Sequence, residues 1–137
     1  MWIVFAFGAA LFAGLTSILA KCGIKNTDSN VATALRTIVV LIFSWIMVFI
    51  SGSQSTLTSI NTKTLVFLIL SGIATGASWL CYYRALQTGP ASVVVPIDKL
   101  SILVTIAFSY IVFKEKLNKK SALGLLLIVM GTLSLLF

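Results

Sequence analysis

The chain has 137 residues, of which 59% are hydrophobic and 9% charged; ordinary globular chains carry roughly 25% charge, so a water-soluble surface cannot be built here. The net charge of +7 comes from basic residues spread over segment ends, with no single stripe interleaved with aromatics, which argues against a nucleic-acid partner and for residues gathered at membrane headgroups. Histidine is absent, the acids are only Asp28, Asp98 and Glu115, and Cys22 and Cys81 stand alone, so hydrolytic, metal-dependent and redox chemistry lack their usual groups, and neither enzyme activity nor a cofactor or metal is expected.

A hydrocarbon core about 30 Å thick takes roughly 20 apolar residues per helix. The fold class expected is therefore all-α: a polytopic membrane protein with about five transmembrane helices in a single domain over residues 1–137. The lipid bilayer is its solvent, and a multi-pass place in the cell membrane follows. The first span, residues 2–20, has no basic stretch before it and is longer than the apolar region of a typical signal peptide, so it reads as retained. Lys21 also stands before Cys22 where a lipoprotein cleavage site requires a small residue. A polar turn at residues 26–30 leads to the second span, residues 31–50, interrupted only by Arg36. A Ser/Thr/Gly-rich loop over residues 51–63 precedes the third span, residues 64–86.

In that third span Gly72 and Gly76 have the GxxxG spacing that lets helices approach closely, inside the bundle or at a dimer face. Trp79, Tyr82 and Tyr83 follow at i, i+3 and i+4, next to Arg84. They suit an aromatic belt at the membrane interface, or a wall that holds a flat or cationic ligand.

After a short turn through Pro90 comes the fourth span, residues 91–113, with Pro96, Asp98 and Lys99 inside it. A basic cluster of Lys114, Lys116, Lys119 and Lys120 around Glu115 leads to the fifth span, residues 121–137. With five crossings the N-terminal side holds Lys63 and those four lysines. The opposite side holds Lys21 and Lys25, plus Arg36 and Arg84 if they snorkel to the interface. Five against four specifies the orientation weakly, and counting only clear loop residues favours a cytoplasmic N-terminus.

Ionisable residues deep in a span cost roughly 2.5–3.5 kcal/mol even on mild insertion scales and mark functional positions by default. Asp98 lies about 12 Å past Pro90 at 1.5 Å per residue, near the bilayer middle. Sequence neighbours project about 100° apart on a helix, so Asp98 and Lys99 are not expected to form a same-face ion pair, and each needs other partners. Pro96 cannot donate to the Ser92 carbonyl and kinks the helix; a broken helix at this depth is tolerated where it lines a cavity or is buried in protein. Pro96, Asp98 and Lys99 therefore read as a substrate-binding or gating element. The competing reading pairs the two charges with Arg36 or Arg84 to lock packing. Tyr83, Trp79, Arg36 and Arg84 complete the candidate set.

The stretch 82–117, YYRALQTGPASVVVPIDKLSILVTIAFSYIVFKEKL, closely resembles the second half of an EamA domain of the drug/metabolite transporter superfamily. The likeness rests on the Tyr-Arg-Ala-Leu helix end, the Gly89-Pro90-Ala91-Ser92 turn, the helix with Pro96 and Leu100, and the closing Glu115-Lys116-Leu117. Gly124 and Gly131 fit the family's last helix. The resemblance implies a transporter of small metabolites or toxic compounds that works by alternating access. Common members carry two such units in inverted orientation, whereas this sequence carries one. It therefore implies a half-size transporter acting as a homodimer, antiparallel if the inverted symmetry is to be restored, or with a related partner subunit. Small multidrug resistance proteins of the same superfamily carry a glutamate in the first span; residues 2–20 hold no carboxylate, which disfavours that type. The alternatives are a non-transporting membrane subunit and a flippase-like component of a partner complex.

Overall fold

A computed structural model describes residues 1–137. It is all-helical: α1 (Trp2–Gly23), α2 (Ser29–Ile50), a 3₁₀ helix (Ser53–Ser59), α3 (Thr62–Thr88), α4 (Ala91–Asp98), α5 (Ser101–Phe113) and α6 (Lys119–Ser134). Trp2–Gly23, Ser29–Ile50, Thr62–Thr88 and the two-piece stretch Ala91–Phe113 are long and apolar enough to cross a membrane. The 16 residues of α6 reach about 24 Å, less than the hydrocarbon thickness, because its apolar run continues past the helix end into Leu135, Leu136 and Phe137. No more than 6% of any of the four crossing stretches is buried within the chain.

Two compact units divide the chain, one of Met1–Ile18 with Thr88–Phe137, the other of Leu19–Gln87. In the first, α4 packs against α6. The break between α4 and α5 falls at Lys99 and Leu100. There the backbone bonds shorten from the α to the 3₁₀ spacing: Lys99 N–H reaches the carbonyls of Val95 (3.3 Å) and Pro96 (3.1 Å), and Leu100, Ile102 and Leu103 donate to residues three back at 2.9, 3.1 and 2.9 Å. The span expected at residues 91–113 is thus interrupted where the sequence placed Pro96, with the tight turn just beyond the proline.

The second unit is held at one end. Asp28 caps α2, its Oδ1 accepting from Asn30 N–H at 2.8 Å and Val31 N–H at 3.4 Å, which satisfies two of the orphan donors at a helix start. At the end of α3, Pro90 has no N–H for the carbonyl of Leu86 four residues back. The Lys21 ammonium donates to that carbonyl instead, and a cation there also suits the negative end of the helix dipole. Gln87 Nε2 donates to the carbonyl of Thr27 at 2.9 Å. Around these bonds lie the deepest residues of the unit: Leu86, Ser29, Ile24, Tyr83 and Thr33.

Hydroxyls in the spans bond their own helix. Thr33 donates to Ser29 O at 2.8 Å, Thr75 to Ser71 O at 2.9 Å and Thr105 to Ser101 O at 3.2 Å, and no buried side-chain polar atom lacks a partner. In the 51–63 loop, Gly52 turns the chain with φ +68°. Thr58 and Ser59 then donate to carbonyls three residues back at 3.0 and 2.8 Å, which supports the 3₁₀ helix.

The GxxxG expectation needs correction in one respect. Within the unit of Leu19–Gln87 nothing lies within 4 Å of a Cβ built on Gly72 or Gly76, so these glycines mediate no close approach inside that unit.

Burial predicts where stability resides. Leu86 is 0% and Leu80 42% exposed. Leu86→Ala should lower unfolding stability in detergent by about 2 kcal/mol or more through the cavity it leaves, whereas Leu80→Ala should leave the unfolding midpoint nearly unchanged.

Candidate functional site

The structure gathers the candidate residues into two constellations, one in each unit. In the unit of Leu19–Gln87, Arg36 stands about 10 Å into α2 from its first residue, while Tyr83 and Trp79 stand about 7 and 13 Å from the last residue of α3. The antiparallel pair thus brings the guanidinium between the two rings in depth. Its carbon lies 4.2 Å from the Trp79 ring centre and 5.5 Å from that of Tyr83, inside the range of a cation–π contact. Tyr82 meets Tyr83 edge-on at 6.1 Å. Arg36 is therefore stacked, and it leaves the set of arginines expected to snorkel.

Two readings change with this. Tyr83 is 2% exposed, so it is no member of an interfacial belt; it is a packed residue with a cation on its face. The acid of this unit, Asp28, is occupied in the α2 cap, and the positive charge of Arg36 is held by π faces. Arg84 is exposed.

In the other unit, Asp98 ends α4 and Lys99 follows as its cap. Their side chains form an ion pair, Lys99 Nζ to Asp98 Oδ2 at 3.6 Å. This overturns the expectation that neighbours 100° apart cannot pair. The helix stops at Asp98 with Lys99 as its cap, and the long lysine side chain reaches the neighbouring carboxylate. The pair is only partly covered, at 58% and 37% side-chain exposure for Lys99 and Asp98, and half-buried Pro96 lies in the turn before it. An opposite pair at a helix break presents a donor and an acceptor whose charges cancel, so polar solutes find hydrogen-bonding groups there without a net charge being left in the hydrocarbon.

Lys21, Gln87 and the Leu86 carbonyl escaped the sequence reading. One signal was present: Pro90 four residues after Leu86 announces an orphan carbonyl. That Lys21 fills it depends on α1 and α3 ending together, which no local pattern states.

An all-helical chain with several membrane-crossing helices, one of them broken at a charge pair, is a multi-pass membrane protein built as transporters are. The EamA-like transporter family model matches residues 1–137, and the chain belongs to that family. It is 42% identical over 134 residues, 98% of this chain and 95% of the other, to a Sinorhizobium sp. protein described as an uncharacterized transporter in the cobO 3′ region. It is 30% identical over 103 residues, 69% of this chain and 75% of the other, to the uncharacterized protein MJ1333.1 of Methanocaldococcus jannaschii. No solved structure matches.

The stack of Arg36 on Trp79 is testable by a double-mutant cycle. Arg36→Met and Trp79→Leu should each destabilise the protein and show a coupling energy of about 1–2 kcal/mol in detergent unfolding. Additive effects would mean that the contact carries no energy.

Proposed function

We propose that this chain is a half-size secondary transporter of the cell membrane, moving a small metabolite or toxic compound by alternating access as a dimer. The observation that carries the reading is the interrupted α4–α5 span, with Asp98 and Lys99 paired at its break roughly 12 Å from Pro90. Charges at such depth are expensive, and discontinuous helices are the usual place for substrate groups in transporters. α6, with the apolar residues after it, makes the fifth crossing. Opening the pair lets a solute exchange partners with the carboxylate and the ammonium, and the flexible break gives the span two ways to lie. Pro96 keeps the ladder open at Ser92. Arg36, stacked on Trp79 and Tyr83, and Arg84 are assigned to substrate binding or gating.

A dimer is favoured because one unit buries so little of its own apolar surface and because the Sinorhizobium relative, matched over 95% of its length, is also of single-unit size. The second copy is inverted in the arrangement that rebuilds the two-unit symmetry, and a related subunit fills the same role. With nothing near Gly72 or Gly76 within the unit of Leu19–Gln87, the α3 small-residue face is the natural seam.

Thermal unfolding of the purified protein in mild detergent against a panel of amino acids, sugars, nucleosides, cationic drugs and lipid-linked sugars tests the site. A substrate at about 100 times its dissociation constant stabilises by roughly 2.7 kcal/mol. That shift should vanish in Asp98→Asn and Lys99→Gln while their unliganded midpoints stay close to wild type. Variants that merely unfold earlier, with no ligand shift in any protein, would instead indicate a membrane subunit that does not transport. For the seam, Gly72→Leu should leave the chain folded and convert dimer to monomer in detergent-corrected light scattering; an unchanged mass would remove α3 from the interface.

A further inference from the structure

Residues 114–120 read Lys-Glu-Lys-Leu-Asn-Lys-Lys, four lysines against one glutamate. They join α5 to α6, where a crossing leaves the hydrocarbon. Lys119 and Lys120 open α6, which has no acidic residue in its first turn, although the positive end of the helix dipole disfavours cations there. So much like charge in a short connection calls for an anion close by.

The backbone adds a second observation. Lys114 is the one non-glycine residue with positive φ, +54°, a conformation that L side chains avoid and that glycine ordinarily takes at a helix end. Its N–H bonds Ser109 O, and this turn sets Lys114 and Lys116 on the wall of a cleft of about 400 Å³ shared with Tyr110 and Ile111 of the last turn of α5. The cleft is therefore lined by two lysines together with an isoleucine and a tyrosine that belong to a membrane span.

That combination fits one kind of molecule better than others. A free phosphate uses the lysines and ignores the apolar wall. An anionic phospholipid uses both: its phosphodiester meets the ammonium groups, and the start of an acyl chain lies along Ile111 and the face of Tyr110. We infer that this cleft is a binding site for one anionic phospholipid, its phosphate held by Lys114 and Lys116. Lys119 and Lys120 add attraction without lining the cleft, and the bound headgroup offsets their unfavourable place at the start of α6. The strained lysine is retained where glycine would relax the turn because its ammonium faces the phosphate. The site is independent of the transport reading.

The test is thermal unfolding of the whole protein in dodecyl maltoside with added dioleoyl phosphatidylglycerol, dioleoyl phosphatidylcholine, or inorganic phosphate at matched ionic strength. Phosphatidylglycerol should raise the midpoint above phosphatidylcholine, and inorganic phosphate should not. Each lysine near a membrane surface contributes about five-fold in affinity, so Lys114→Gln with Lys116→Gln should weaken the phosphatidylglycerol response about 25-fold. Lys63→Gln should leave it intact, and Ile111→Ser should weaken it. Lys114→Gly relaxes the turn and serves as a folded control; it should be at least as stable in phosphatidylcholine yet respond less to phosphatidylglycerol. An unaltered response in the double variant, an equal loss in Lys63→Gln, or full stabilisation by inorganic phosphate would overturn the assignment.

Discussion

Inside a bilayer a backbone amide or carbonyl has no water to turn to, so each must find a partner within the protein. In this chain two prolines withdraw a donor, and the two losses have different consequences. Pro90 deprives the Leu86 carbonyl, and the Lys21 ammonium takes it, drawing the end of α3 to the turn between α1 and α2. Gln87 reinforces the join through the Thr27 carbonyl. Pro96 acts in mid-span, where the ladder changes to 3₁₀ spacing and the helix breaks at Lys99 and Leu100. One proline thus creates a staple and the other a break.

Charge is managed on the same terms. Desolvating an ion costs several kcal/mol unless a partner is built in, and the two constellations use different partners. Asp98 and Lys99 cancel one another at the helix break, whereas Arg36 is accepted by aromatic faces. Arginine suits the second solution because its flat, weakly hydrated cation stacks where an ammonium would hold its water more firmly. The Asp98–Lys99 pair carries no net charge, whereas the Arg36 stack keeps its single positive charge and covers it with aromatic faces.

Much of this was legible from residue order alone. The apolar runs located the four crossing stretches and α6 to within three residues at every end, because hydropathy needs no tertiary information, and Pro96 marked the interrupted one. The candidate site was legible as a set of residue types but not as contacts. Helical spacing argued that Asp98 and Lys99 must part, since it assumed that the helix continues; the structure ends α4 between them. Trp79 and Tyr83 looked interfacial because aromatics near a span end usually are, and the stack beneath Arg36 depends on an antiparallel register between α2 and α3 that local pattern does not encode. Gly72 and Gly76 have a spacing that suits close approach inside the bundle or at a dimer face, and within the unit of Leu19–Gln87 nothing lies within 4 Å of a Cβ built on either.

That open spacing bears on how a half-size unit can work. Lipid tails are as apolar as leucine side chains, so no hydrophobic force drives helices together in the bilayer, and association rests on small-residue packing and polar bonds. Within the unit of Leu19–Gln87 the polar bonds between segments lie at one end, where Lys21 meets the Leu86 carbonyl and Gln87 that of Thr27, and the glycines further along α3 stay open. A unit fastened at one end and loose along its length can tilt its helices without breaking the bonds that keep it folded. In the proposed dimer, the open glycine face would supply the missing packing, and the break at Asp98 and Lys99 would serve as the hinge. Such a division of labour separates the contacts that hold the fold from those that must change during transport.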